Sequence, residues 1–185
     1  NQVSAIKQMV DDFRNYAKAP PATLIPLDLN ALIDEISHLY VNGEATDIVH
    51  AKLSDNLPHI MGNATRLRQV IHNLLQNAQD ACSEVVNRPN WHPNIEIITE
   101  KVHYTDASGK ICIAVRLSVM DNGPGFSQEI MNRIFEPYVT SKERGTGLGM
   151  AVVKKIIEEH GGRIDVQNRT DIQGADVSIL FMHLA

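Results

Sequence analysis

Apolar residues recur along this chain in distinct rhythms, and each rhythm predicts a different element. Val3, Ile6, Val10, Phe13 and Ala17 fall at alternating spacings of three and four, which predicts a helix with one apolar stripe suited to a coiled-coil or bundle seam. Ala19-Pro20-Pro21 ends it, because proline lacks the amide that a helix ladder needs and restricts the residue before it. The chain therefore divides into a helix and linker over residues 1–20 and one globular domain over residues 21–185. A strand over Leu24 to Leu27 leads into a helix capped by Asp28, with Leu29, Leu32, Ile33, Ile36 and Leu39 on its buried side. Strands are expected near Asp47 to Leu53 and His59 to Met61. A second helix starts at Asn63 as N-cap and carries Leu67, Val70, Ile71, Leu74, Leu75 and Ala78 on one face, up to a loop over 87–93.

The rhythm then changes to two. Ile111, Ile113, Val115, Leu117 and Val119 alternate with mostly polar or small residues, which predicts a half-buried strand entered through a hairpin turn at Asp106-Ala107-Ser108-Gly109. A short helix near Gln128 to Phe135, a helix from about Gly147 to His160, and strands near Arg163 to Asn168 and Val177 to Met182 complete the pattern. Three helices against about five strands, partly joined by hairpins, predict an α+β fold, a two-layer α/β sandwich with a mixed sheet.

Composition narrows the function classes. A net charge of -5 and the absence of basic runs disfavour nucleic-acid binding and point to a small ligand. Cys82 and Cys112 lie on a helix and a strand, so they are expected as buried thiols in a reducing compartment. No run approaches the roughly 18 apolar residues of a membrane span, and Asn1 follows no signal-like segment, so a soluble piece without direct membrane contact is expected. His38, His50, His59, His72, His92, His103, His160 and His183 show no metal-like i, i+4 pairing and read as ordinary surface or core residues.

Three clusters carry candidate chemistry. Asn73 and Asn77 stand four apart and so emerge on one helix face. Asparagine is a mediocre helix former, and the pair fits either two solvated amides or an amide oxygen that ligates Mg²⁺, a hard cation that takes oxygen ligands. The strand ending at Val119 runs into Asp121-Asn122-Gly123-Pro124-Gly125-Phe126. That is either an ordinary turn, or a strand-end carboxylate that accepts from an exocyclic amine beside glycines that admit a ring. Gly145-Thr146-Gly147-Leu148-Gly149-Met150 opens the last long helix, offering backbone amides and the positive helix end to phosphate, with Lys142 and Arg144 just before it. A polar loop precedes it rather than a strand, so a dinucleotide fingerprint fits poorly.

Together with Phe135-Glu136-Pro137-Tyr138, these clusters resemble, in order, the asparagine, first glycine, phenylalanine and second glycine boxes of bacterial sensor histidine kinases, within the GHKL ATPases that share the Bergerat fold. Met9-Val10-Asp11-Asp12-Phe13 before Ala19-Pro20 further resembles the second helix of the dimerisation domain in kinases of the nitrogen-regulation NtrY type. The resemblance implies an ATP-binding catalytic domain that donates the γ-phosphate to a histidine of a dimerisation domain. It implies ATP and Mg²⁺ as ligand and cofactor, a response regulator downstream, a homodimeric parent anchored in the bacterial inner membrane, and a cytoplasmic place for this domain.

By position, Asn77 would hold Mg²⁺, Asp121 would read the adenine amine, and Gly123 and Gly125 would line the base pocket. Residues 136–146 would form the ATP lid, where Gly145, Thr146, Gly147, Leu148 and Gly149 meet phosphate with Lys142 or Arg144, and Phe135 belongs to the nucleotide site through its box. Asn73 is the candidate catalytic position. Hydrolytic relatives carry a glutamate base there, and an amide is a poor base, which favours transfer to histidine over water activation. Asp80 belongs to the site through the first box, yet Asp80 and Ala81 stand where many members have a basic residue and an aromatic, and Ala175 follows Gly174 where threonine is usual. No histidine here precedes a glutamate, as the phosphoacceptor box of the family requires, so the fragment is expected to bind ATP without phosphorylating itself. Two rivals remain at this stage: a GHKL hydrolase, disfavoured by Asn73, and a non-catalytic nucleotide-binding or docking module, favoured by Asp80, Ala81 and Ala175.

Overall fold

A computed structural model describes residues 23–41, 48–85, 88–140 and 145–185, with side chains omitted for 39–41. The stripe from Val3 to Ala17, the boundary at Ala19 to Pro21, the side chain of Leu39, Asp47, and the pair Lys142 and Arg144 lie outside this description.

The domain is built from seven strands and four helices among the described residues: β1 (Ile25–Leu27), α1 (Leu29–Val41), β2 (Val49–Lys52), β3 (Ile60–Gly62), α2 (Ala64–Ser83), β4 (Ile95–Thr105), β5 (Ile111–Asp121), α3 (Gln128–Met131), α4 (Gly149–Glu159), β6 (Arg163–Asn168) and β7 (Ala175–Phe181). Five strands make one mixed sheet in the order β2-β4-β5-β7-β6. Only β2 and β4 pair in parallel, joined by a crossover that contains α2, and the remaining pairs are antiparallel. Strands β1 and β3 do not join this sheet. They form a separate antiparallel ribbon, extended by a bridge from Ile60 to Leu184 near the chain end.

Caps set both long N-terminal helices. The Asp28 carboxylate accepts from the Ala31 amide at 3.0 Å, and the Asn63 side chain accepts from the Arg66 amide at 3.1 Å. Each helix then turns its apolar stripe onto the sheet. Leu29, Leu32, Ile33 and Ile36 of α1, Leu67, Val70, Ile71, Leu74 and Leu75 of α2, and Val152, Val153, Ile156 and Ile157 of α4 share one core with Ile95, Ile97, Val115, Leu117, Val119, Val177, Ile179 and Phe181. Helices on one face and a charged opposite face, with Lys52–Glu96 and Arg116–Glu100 ion pairs, make the two-layer sandwich.

The β4–β5 hairpin outruns its cover. Ile111 and Ile113 share the inward parity of Val115, Leu117 and Val119 but are 71% and 42% exposed, because this end of the ladder extends past the helices. Cys112 between them is only partly covered, unlike the buried Cys82, so the expectation of two buried thiols holds for one. The short helix also stops early, at Met131, and the chain continues in turns to Tyr138.

Candidate functional site

A cavity of about 470 Å³ opens between α2, the end of β5 and the start of α4. Because α2 turns once every 3.6 residues, Asn73, Gln76, Asn77, Asp80, Ala81 and Glu84 come round to the same side, and all six line this cavity. Leu74 and Ala78 reach it from the apolar edge of that face, and Val119, Val152 and Val177 close its floor. Gln76 donates to the Asp80 carboxylate at 2.8 Å, one turn along.

Asp121, the last residue of β5, is 6% exposed at the cavity wall. Its Oδ1 accepts from the Gly123 amide at 2.8 Å and from the Ala175 amide at 3.3 Å. Burial pushes its carboxyl pKa up, opposed by those two amides and by the charge of Arg169. Two amides hold one oxygen in place, so the carboxylate presents a fixed acceptor at the mouth of an otherwise apolar floor.

The loop after Asp121 is held from three sides. Asn122 accepts from the Asn94 amide at 2.9 Å, donates to the His92 carbonyl at 2.8 Å, and its own carbonyl accepts from the Trp91 indole at 3.1 Å. Asn168, at the end of β6, grips the Phe126 backbone twice, accepting from its amide at 2.7 Å and donating to its carbonyl at 2.8 Å. Arg169 donates to the Asp121 carbonyl at 3.3 Å while its guanidinium pairs with Asp171 at 2.7 Å. Gly174, at φ 148°, presses so closely on the Asp121 backbone that a β-carbon there would collide with the Asp121 carbonyl oxygen.

The other end of the cavity is bordered by Val139, Thr140, Gly145, Thr146, Gly147, Gly149 and Met150. Here the Tyr138 amide donates to the Gly147 carbonyl at 2.9 Å and closes the neck of the loop between them. Both residues are left-handed, at φ 67° and 66°, and a β-carbon on Gly147 would stand 2.6 Å from the Tyr138 carbonyl carbon. The Leu148 amide donates to Thr146 Oγ1 at 3.3 Å, and α4 starts with no other side-chain cap. Its first amides therefore face the cavity end as donors.

The structure brings Asn73, Asn77, Asp80, Asp121, Gly125, Gly145, Thr146, Gly147 and Gly149 to one wall. It does not bring Gly123, Phe135 or Leu148 there. Gly123 packs against the backbone of Ala81, where a β-carbon would come within 2.9 Å, so it allows the strand end to approach α2. Phe135 lies under the Lys154 ammonium, 5.3 Å away, in a separate cleft of about 220 Å³ with Arg133 and Glu136. Leu148 is fully buried and anchors α4 in the core. Sequence reasoning missed His72, Gln76 and Glu84 on the wall and Asn122, Asn168 and Arg169 behind it. Gln76 and Glu84 share the helical spacing of Asn73 and Asn77 and were legible from it, whereas His72, one residue before Asn73, does not. The last three act through folded contacts up to 48 residues distant, which no local spacing announces.

Among the described residues no group of three His, Cys, Asp or Glu side chains could hold a metal by itself. Amide oxygens of Asn73 and Asn77 in the wall do suit Mg²⁺, which binds through one or two protein oxygens and completes its shell with water and substrate phosphates. No described helix is long and apolar enough to cross a membrane.

Comparison with known proteins places this geometry. Residues 62–184 match the family described as histidine kinase-, DNA gyrase B-, and HSP90-like ATPase. The nitrogen regulation protein NtrY of Azorhizobium caulinodans is 32% identical over 94% of this chain, which spans 21% of that protein. Full-length ShkA in complex with AMPPNP superposes with a TM-score of 0.74 at 25% identity, covering 97% of this chain and 36% of that one. Histidine kinase ThkA in complex with the response regulator protein TrrA gives 0.75 at 28% identity, covering 98% of this chain and 48% of that one. The chain thus spans less than half the length of each of these relatives. With the matched region containing the entire cavity wall, the chain belongs to the histidine kinase-, DNA gyrase B- and HSP90-like ATPase family.

Proposed function

We propose that this domain binds ATP with Mg²⁺ and donates the γ-phosphate to a histidine carried by a dimerisation domain of the same protein, for relay to a response regulator. The observation that carries the reading is the convergence on one cavity of a helix amide face, a buried strand-end carboxylate and a glycine-lined helix start. The AMPPNP in ShkA and the response regulator bound to ThkA support it by similarity.

In this reading the adenine lies at the Asp121 end, where the carboxylate accepts from the exocyclic amine and Gly125 and Ala175 border the ring. The phosphates lie at the Gly145–Gly149 end against the first amides of α4, with Lys142 or Arg144 assisting. Asn77 would hold Mg²⁺, which would supply charge neutralisation on the phosphate tail. Asn73 stands beside the transferring group without the basicity to activate water, so the chain positions and shields rather than deprotonates. The incoming imidazole nitrogen bonds to the γ-phosphorus as the bond to the β-γ bridging oxygen breaks, and ADP leaves. Gly123 and Leu148 serve by packing, and Phe135 by flanking the lid. The parent is a homodimer in the bacterial inner membrane with this domain on the cytoplasmic side, and residues 1–20 belong to the C-terminal part of its second dimerisation helix and the linker after it.

The test supplies a dimerisation domain bearing its histidine, together with γ-labelled ATP and Mg²⁺. Acid-labile label on that domain is expected, and it should vanish with Asn77→Ala. Steady ATP hydrolysis without label transfer would replace kinase by hydrolase.

A further inference from the structure

We infer that Arg169, clamped by Asp171, is a positioning residue for base recognition: it steers the Asp121 carboxylate by a hydrogen bond and by charge, from outside the cavity. The inference rests on the nucleotide reading above and deepens its base end. Three bonds form a closed circuit around Asp121. The Arg169 amide donates to the Gly174 carbonyl at 2.9 Å and closes the neck of the loop 169–174. The next amide, of Ala175, donates to Asp121 Oδ1 at 3.3 Å, and Nη1 of Arg169 donates to the Asp121 carbonyl at 3.3 Å. The loop therefore grips Asp121 by side chain and backbone at once, although Arg169 does not line the cavity itself.

The direction of Nη1 has a cause. A guanidinium is planar and presents its donors in a fixed fork. Asp171 occupies one edge of that fork, accepting from Nε at 3.1 Å and from Nη2 at 2.7 Å, which leaves Nη1 for the strand end. The Arg169 side chain is 10% exposed, so its charge reaches Asp121 largely through protein rather than water.

Titratable groups stand on every side of Asp121. On α2 are the Cys82 thiol, whose pKa burial and then the Asp121 charge raise, and the carboxylates of Asp80 and Glu84. Asp176 of β7 accepts from Gln167 at 3.0 Å on the other face of the sheet, and Glu96 of β4 interacts with the guanidinium. His92 is exposed in the loop that Asn122 holds. Arg169 sets positive charge against these carboxylates and against the burial that pushes the Asp121 pKa up. Taking that charge away moves the protonated, weakly accepting form of Asp121 to higher pH.

The experiment is calorimetric titration of the 185-residue chain with ATP and with GTP in Mg²⁺, at about pH 8 and about pH 5.5, with thermal melts alongside. Ligand and histidine titrations are common to all proteins, so each variant is read as its ratio to wild type. Arg169→Gln is expected to weaken ATP about tenfold at the higher pH, with a matching loss of preference over GTP, and to fall further behind at the lower. Arg169→Lys keeps the charge without the fork, so its smaller loss should be the same at both pH values. Asp171→Asn changes a side chain 63% exposed, which spares the fold, and should reduce the preference about threefold. In an Asp121→Asn background, Arg169→Gln should leave the ATP-to-GTP ratio where it was. Weaker ATP binding at an unchanged ratio, with a gap to wild type that ignores pH, would show a packing role and overturn the inference. So would wild-type binding by both Arg169→Gln and Asp171→Asn. Wild type that binds neither nucleotide would instead reject the nucleotide site itself.

Discussion

The two ends of the cavity are built differently. At Asp121 the backbone is cross-braced by Asn122, by the neighbours Asn168 and Arg169, and by Gly174. At Gly147 the wall is a loop whose neck closes through a backbone bond between two left-handed residues, Tyr138 and Gly147. Tyrosine in that conformation costs about 1–2 kcal/mol relative to the right-handed region. A braced end can read one ring shape without rearranging. The other end hangs on one backbone bond, and under the proposed function the difference suits a site that reads a base at one end and holds the phosphates at the other.

The comparison breaks most sharply at Gly174. A side chain there must displace the Asp121 carbonyl, so Gly174→Ala is expected to cost about 3 kcal/mol of stability and to remove ATP binding, seen by denaturant melts beside calorimetry. Asp121→Asn should dissociate the two properties. It keeps an oxygen for the Gly123 and Ala175 amides but loses the carboxylate, so ATP affinity should fall about 100-fold with loss of preference over GTP. Because burial raises the pKa of Asp121, its ionised form opposes folding at neutral pH, and the variant should melt no lower than wild type. A lower melting temperature would show that the carboxylate is structural.

Asn168→Ala tests the bracing itself. Losing both bonds to Phe126 should weaken ATP about tenfold through the loop, and adenosine equally, since the effect lies at the base end. Gly147→Ala is the counterpart at the neck. It should weaken ATP several-fold while sparing adenosine, with a smaller loss of stability than Gly174→Ala.

Much of this was legible beforehand, for identifiable reasons. Residues such as Val70, Leu74 and Ala78 recur at the helical period, so α2 and its opposite polar face follow from spacing alone. Strand order does not. The parallel pairing of β2 with β4, and the removal of β1 and β3 into their own ribbon, depend on which edges remain free once the helices dock. Ile111 and Ile113 alternate as buried strand residues do, but alternation records parity, and cover depends on where α1 and α2 end. Phe135 and Leu148 lie in the right segments yet point into other neighbourhoods, because box membership fixes a place on the chain and the local turn fixes direction.

The smallest expected effect concerns the brace between α2 and α4. His160 is buried with Nε2 accepting from the Asn63 amide, so the proton lies on Nδ1, 2.7 Å from the Ile156 carbonyl. Burial, chiefly, holds its pKa below the ordinary value, which favours the neutral ring in the folded state. Its stabilising contribution is therefore full above the ordinary histidine pKa of about 6.5 and is lost as pH falls through the lowered folded value. Thermal melts of wild type should decline below that pH more steeply than those of His160→Gln, and parallel declines would remove His160 from the account.

The central claim is that both ends of the cavity serve one nucleotide. Following backbone amide shifts during titration with AMPPNP and Mg²⁺ tests it directly. The account predicts that Asn77, Asp121, Gly125, Gly147 and Gly149 shift together, with one dissociation constant and one nucleotide per chain. Shifts confined to one end, or two ends that saturate at different concentrations, would contradict it.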